Sequence, residues 1–213
     1  MLIPRNSRLG FWLRRMQWLF WPMRVPRCDD SVRIHPTAIF TGFPENVEFG
    51  RNVIIDAHAI IHCHKTGKIR IGDSSYIGPG AMVHTGKKGG FVTIGQNCTV
   101  QAYSLVHGHG GCEIGNDVRI AGHTVIIPAN HRFEDTTVAI REQGLTKSGI
   151  KIEDDVWMGA GCRILDGVTI GKGCVLGAGT VVHKSLPPGS VAVGSPARVV
   201  SNRFESQPEA GQE

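Results

Sequence analysis

Residues 152–182 read IEDDVW MGAGCR ILDGVT IGKGCV LGAGTV V when written in blocks of six. Ile152, Met158, Ile164, Ile170, Leu176 and Val182 open the successive blocks, so a large apolar residue returns at every sixth position without a break. Four residues after each opener stands a small or β-branched residue: Val156, Cys162, Val168, Cys174 and Thr180. Neither the 3.6-residue period of an amphipathic helix nor the two-residue alternation of a lone strand gives this spacing. A fixed longer period marks a solenoid, in which each repeat buries its apolar side against the next.

The same spacing extends toward the N-terminus as rows of three anchors. Rows open at Phe49, Ile71, Ile94, Ile114, Ile152 and Ile170. Six residues on stand Ile55, Ile77, Val100, Ile120, Met158 and Leu176; six further stand Ile61, Val83, Val106, Ile126, Ile164 and Val182. An average chain, with just under half its residues apolar, would fill eighteen such places about once in several hundred thousand trials. The steps from a third anchor to the next row are 10, 11, 8, 26 and 6 residues. Every insertion therefore falls at one point of the cycle, which predicts a three-sided coil with all its loops at one corner. The longest, between Ile126 and Ile152, predicts a protruding arm over 127–151, and loops of that length in compact domains usually carry function.

Composition agrees with an all-β chain. Among 213 residues, Ile and Val number 40 against nine Leu, and Gly numbers 28, a balance that favours strands and tight turns over helices. The net charge of +5 sits entirely in residues 1–33, which hold seven arginines against Asp29 and Asp30. The other 180 residues balance to zero, which excludes a nucleic-acid-binding body. Six cysteines at 28, 63, 98, 112, 162 and 174 make no CxxC pair, so a zinc ribbon is excluded. No apolar run reaches the ~20 residues of a membrane span, and no small-residue cleavage site follows Leu9–Met23; a cytoplasmic protein is expected. Residues 1–31 form a basic, aromatic segment with a short helix, expected to cap the solenoid or, through 9–24, to touch an anionic membrane surface. The solenoid is expected over 32–200, and 201–213 as a polar, disordered tail.

The hexads resemble those of the left-handed parallel β-helix acyltransferases. Four pieces resemble the galactoside, maltose and polysaccharide O-acetyltransferase branch in order: IGNDVRIAGHTVIIPANH (114–131), IEDDVWMGAGCRILDGVTIG (152–171), LGAGTVV (176–182) and VAVGSPARVV (191–200). The resemblance implies a homotrimer that uses acetyl-CoA, needs no metal, and acetylates a sugar hydroxyl in cell-surface polysaccharide biosynthesis. It places the family's catalytic histidine on His131, at the opening of the arm. A neutral imidazole suits the removal of a proton from an alcohol near pH 7. Its orienting partner would be Glu134, Asp135, Glu142 or a backbone carbonyl, and a backbone N–H at or near Ala160 would hold the oxyanion. Cofactor contacts carry over onto Ala160, Ala178, His183, Lys184 and Arg198, the two cations facing phosphates; His183 stands where many relatives have Thr. Acceptor contacts carry over onto Gln101 and His109, where the sugar acetyltransferases have Asn and Asp, and Trp157 is a further candidate for the acceptor groove.

His62, His84 and His107 each follow a third anchor and should stack as a ladder beside the arm's corner. This admits a second reading, a metal-dependent enzyme like the γ-class carbonic anhydrases, which share the solenoid. Their usual pair of histidines five residues apart is missing, because Ala102 stands five before His107. A third reading is a non-catalytic trimeric scaffold.

Overall fold

The computed structural model describes residues 26, 28–87 and 89–205. The chain winds as a three-sided parallel β-helix, one short strand per side per coil. The first face holds nine strands, the second seven and the third six, and each strand pairs with its counterparts in the neighbouring coils. All eighteen anchors fall in register. Ile55, Ile77, Val100, Ile120, Met158 and Leu176 form one row on the first face. Ile61 through Val182 form a row on the second, and Phe49 through Ile170 a row on the third. Seventeen of them are at most 3% exposed; Phe49, at the N-terminal end, is partly covered. Burying each such side chain is worth roughly 1.5–3 kcal/mol before chain entropy is counted.

The small residues four positions on fill the corners. Val53, Ser75, Cys98, Val118, Val156 and Cys174 line one, and Ala59, Ala81, Ser104, Thr124, Cys162 and Thr180 the next; all are buried. The chain turns at these corners through left-handed residues, among them Asn52, Ser74, Asn97, Asp117 and Asp155. Insertions leave from the remaining corner, between second and third faces. There the strands Ile60–Cys63, Met82–His84, Leu105–His107 and Val125–Ile127 end, and the loops and the arm begin.

The arm spans 128–149, because Ile127 closes one strand and Ile150 opens another. It is not structureless: Asn130–His131 pairs antiparallel with Leu145–Thr146, and Ile140–Glu142 forms a 3-10 turn. The C-terminal boundary also differs from the expectation. Strand Arg198–Asn202 folds back antiparallel on Ser190–Val193, so the solenoid does not end at 200. Arg203 donates to the Gly173 carbonyl at 2.9 Å and pairs with Asp155 at 3.3 Å, which fixes residues expected in the tail. Residues 206–213, and the helix or membrane contact expected within 1–25, lie outside the described residues.

One inter-coil contact predicts a pH response. The Tyr76 hydroxyl donates to Asp56 Oδ2 at 2.6 Å. That bond, then partial burial, pushes the phenol up to about 12, and the same bond, then the Ala57 N–H, holds the Asp56 carboxyl below its usual range. The folded state therefore favours the protonated phenol. Its contribution is full below the unfolded value of about 10 and is lost as pH rises through about 12. Asp56→Asn should bring the Tyr76 titration back toward about 10, read by ultraviolet absorbance with Tyr76→Phe as the blank. An unchanged titration would mean that the carboxylate is not the cause.

Candidate active site

The candidate residues divide between two corners. At the corner between first and second faces stand Gln101, Ala160 and Ala178. Ala160 and Ala178 are exposed in successive coils, and the Gly179 N–H donates to the Ala160 carbonyl at 2.8 Å. The turn into Arg198 closes on the same edge, where Ala197 N–H donates to the Val181 carbonyl at 2.8 Å. Trp157 lies on the first face beside this corner, 55% exposed, between Arg119 and Val175 of adjacent strands.

At the opposite edge of the second face stand His109, His131, His183 and Lys184. His183 and Lys184 follow strand Val181–Val182, as the arm follows Val125–Ile127. His131 is exposed on the arm's hairpin, paired with Leu145. Within one chain, His131 and the Ala160 amide thus sit at different edges of the prism. The arm's carboxylates have other partners: Glu134 accepts from the Phe133 N–H, Asp135 from the Thr137 N–H and hydroxyl, and Glu142 pairs with Arg141.

The arm's base is held by a residue the sequence did not single out. Asp166 Oδ1 accepts the Ser148 and Gly149 N–H groups at 3.0 and 2.9 Å, and Oδ2 accepts the Thr146 hydroxyl at 3.3 Å. Thr146 belongs to the strand that pairs with His131's. Asp166→Ala should lower turnover about tenfold through a loosened arm, and cost about 1–3 kcal/mol by orphaning two amides. Asp166→Asn, which keeps one acceptor oxygen, should recover part of both. Equal activity in Asp166→Ala and the parent would remove it from the arm's support.

The histidine ladder is present. His62 and His84 stack with ring centroids 4.5 Å apart, and His84 and His107 are 5.1 Å apart. A fourth ring, His109, joins it, with its Nδ1 3.2 Å from Nδ1 of His107. Gly86 makes this possible: its φ is +76°, and a Cβ there would meet the His109 ring at 2.5 Å. Burial, then the neighbouring imidazoles, pushes His84 down to about 4; burial also lowers His107 and His109. In each case burial favours the neutral ring. Cysteine chemistry is disfavoured: burial raises Cys63, Cys98, Cys162 and Cys174 and pushes Cys112 up to about 12.

Residues 149–184 match the family described as bacterial transferase hexapeptide (six repeats). The matched segment is the C-terminal part of the six-residue repeat that runs through the coils. The chain is 36% identical over 175 residues to a probable acetyltransferase of Mycobacterium tuberculosis, an alignment covering 81% of the chain and 48% of the relative. An uncharacterized protein of Dictyostelium discoideum is 30% identical over 93 residues, covering 41% of the chain and 37% of that protein. The chain thus spans about half or less of the curated relatives it matches. Among solved structures, the N-acyltransferase AntD of Bacillus cereus, in complex with dTDP-4-amino-4,6-dideoxyglucose and coenzyme A, superposes with a TM-score of 0.57. That match has 23% identity and covers 91% of this chain and 90% of AntD. The likeness establishes the fold as the left-handed parallel β-helix.

Proposed function

We propose that this protein is an acetyl-CoA-dependent O-acetyltransferase that modifies a sugar hydroxyl in cell-surface polysaccharide assembly. The observation that carries the acyltransferase reading is the 175-residue match to an acetyltransferase, which runs over most of the chain. In the proposed reaction His131 takes the hydroxyl proton as the oxygen attacks the thioester carbonyl. The tetrahedral oxyanion is held by a backbone N–H at or near Ala160. Its collapse expels the CoA thiolate, which receives the proton from the imidazolium. Acetyl-CoA supply places the reaction in the cytoplasm. Among the described residues, no helix is long and apolar enough to cross a membrane.

The working unit in this reading is a homotrimer. His131 and Ala160 lie at different corners of one chain, so one copy would supply the base and its neighbour the oxyanion donor. The arm supports this: Phe133, Ile140 and Val138 are exposed at 66%, 55% and 38%, an apolar set that a neighbouring copy would cover. N-acylation is the second reading, favoured by AntD's complex with an amino sugar nucleotide. A screen for CoA release with sugars, nucleotide sugars and their amino forms decides between them; release with amino sugars alone would replace O- by N-transfer.

Acetyl-CoA titration tests the cofactor site. Lys184→Ala and Arg198→Ala should each raise the KM for acetyl-CoA about tenfold or more, with a smaller change in kcat at saturation, because each removes a charge-assisted contact of about 1.5–3 kcal/mol. No binding by the parent at millimolar cofactor would favour the scaffold reading.

A further inference from the structure

We propose that His84, His107 and His109 form a transition-metal site at the base of the arm, with one coordination position left open. One ring nitrogen from each of the three lies within 4.8 Å of the other two, and all three side chains are partly buried. The closest pair, Nδ1 of His107 and Nδ1 of His109, is 3.2 Å apart. Two imidazole nitrogens bound to one zinc at about 2.0–2.1 Å in a tetrahedral shell stand about 3.4 Å apart. That pair already has the spacing of two corners of the shell. His84 and His107 lie directly opposite each other on adjacent parallel strands, so the scaffold fixes their bases and a tilt of the rings closes the rest.

The donor set selects the ion. Three neutral imidazoles with no carboxylate suit zinc, copper or nickel, and not magnesium or calcium. Lys87 and Lys147 act electrostatically on His109. They oppose a bare dication, so the fourth ligand would be an anion, hydroxide or chloride, that reduces the charge. Metal and apo arrangements exclude one another at two hydrogen bonds. Without metal, one of the His107 and His109 Nδ1 atoms donates to the other; with metal both lone pairs face the ion. Nδ1 of His84 accepts the Gly86 N–H at 2.9 Å. A metal on that nitrogen displaces the amide, and a metal on Nε2 moves the ring proton onto Nδ1, where it faces the amide. Either way the Gly86 contact opens, so occupancy is linked to the turn at Gly86, against which the His109 ring packs. His131 is not among the ligands, and of the acetyl-transfer candidates only the acceptor contact His109 is shared with the site.

Zinc chloride is the probe, on full-length chain without a polyhistidine tag, followed by equilibrium dialysis and metal analysis. One zinc per chain should remain at about 10 µM free metal, with a melting temperature higher by a few degrees. Cobalt substitution should give the intense visible bands of a four-coordinate site. His107→Ala and His109→Ala should each weaken zinc binding by about 100-fold or more, while His62→Ala, in the ladder but outside the triad, should leave it unchanged. Each variant is checked by its apo melting curve, and His109→Asn serves if an alanine variant fails to fold. No stoichiometric zinc in the parent, or zinc retained by folded His107→Ala/His109→Ala, overturns the site.

Discussion

His131→Ala is expected to lower turnover by roughly 10²–10⁴-fold, the usual contribution of a positioned general base, with acetyl-CoA affinity close to that of the parent. The two effects separate because the cofactor candidates lie on the coils, Ala160, Ala178 and Arg198 at the other edge of the second face and His183 and Lys184 after strand Val181–Val182, whereas His131 lies on the arm. Stability should hardly change, since His131 is exposed on the hairpin. Solvent-exposed substitutions of this kind stay within about 0.5 kcal/mol. The shared-site reading adds a sharper expectation. If one copy supplies His131 and another Arg198, co-refolding His131→Ala with Arg198→Ala chains should restore part of the activity that neither variant has alone. Near-normal turnover in His131→Ala across several acceptors would make it a bystander and move attention to His123 or His109. A monomeric mass at micromolar concentration with full activity would refute the trimer.

The fold was readable because a solenoid is a local rule applied many times. A six-residue period with a large anchor and a small residue four later is visible in the sequence, and the register repeats it row for row. What followed no period was not readable. Strand Arg198–Asn202 lies antiparallel to the coils, so a parallel repeat cannot announce it. Asp166 fills an ordinary turn of its hexad; its role depends on amides 17 and 18 residues away along the chain. The place of His109 in the ladder follows no period either. This histidine stands two residues past the ladder position, and only the left-handed turn at Gly86 lets its ring reach the stack. The residues of the proposed site could be named from flanking motifs, but not their separation, because sequence order does not say which corner each hexad turns.

That difference between periodic and aperiodic chain yields the second large effect. Deleting the single residue Asp117, at a left-handed corner with φ +59°, leaves five residues where the coil needs six. Either the corner between Ile114 and Ile120 opens, or every later residue shifts by one and Ala121, Gly159, Gly171 and Gly177 take the inward places of Ile120, Met158, Ile170 and Leu176 inside the prism. Each lost anchor costs about 2–5 kcal/mol, which exceeds the whole stability of an ordinary domain after a few coils. The variant should show no cooperative unfolding by circular dichroism. Removing eleven residues, 133–143, should do far less. Arg132 N–H donates to the Gly144 carbonyl at 3.1 Å, so the ends already meet, and a two-residue Asn-Gly turn can close the hairpin Asn130–His131/Leu145–Thr146. A shorter loop changes closure entropy by only about 1 kcal/mol. The shortened chain should melt within a few degrees of the parent yet lose activity with the loss of Phe133, Val138 and Ile140, the apolar set assigned to the neighbouring copy. A parent-like melt for the one-residue deletion would mean the six-residue period is not enforced by packing. Collapse of the eleven-residue deletion would make the arm a part of the core.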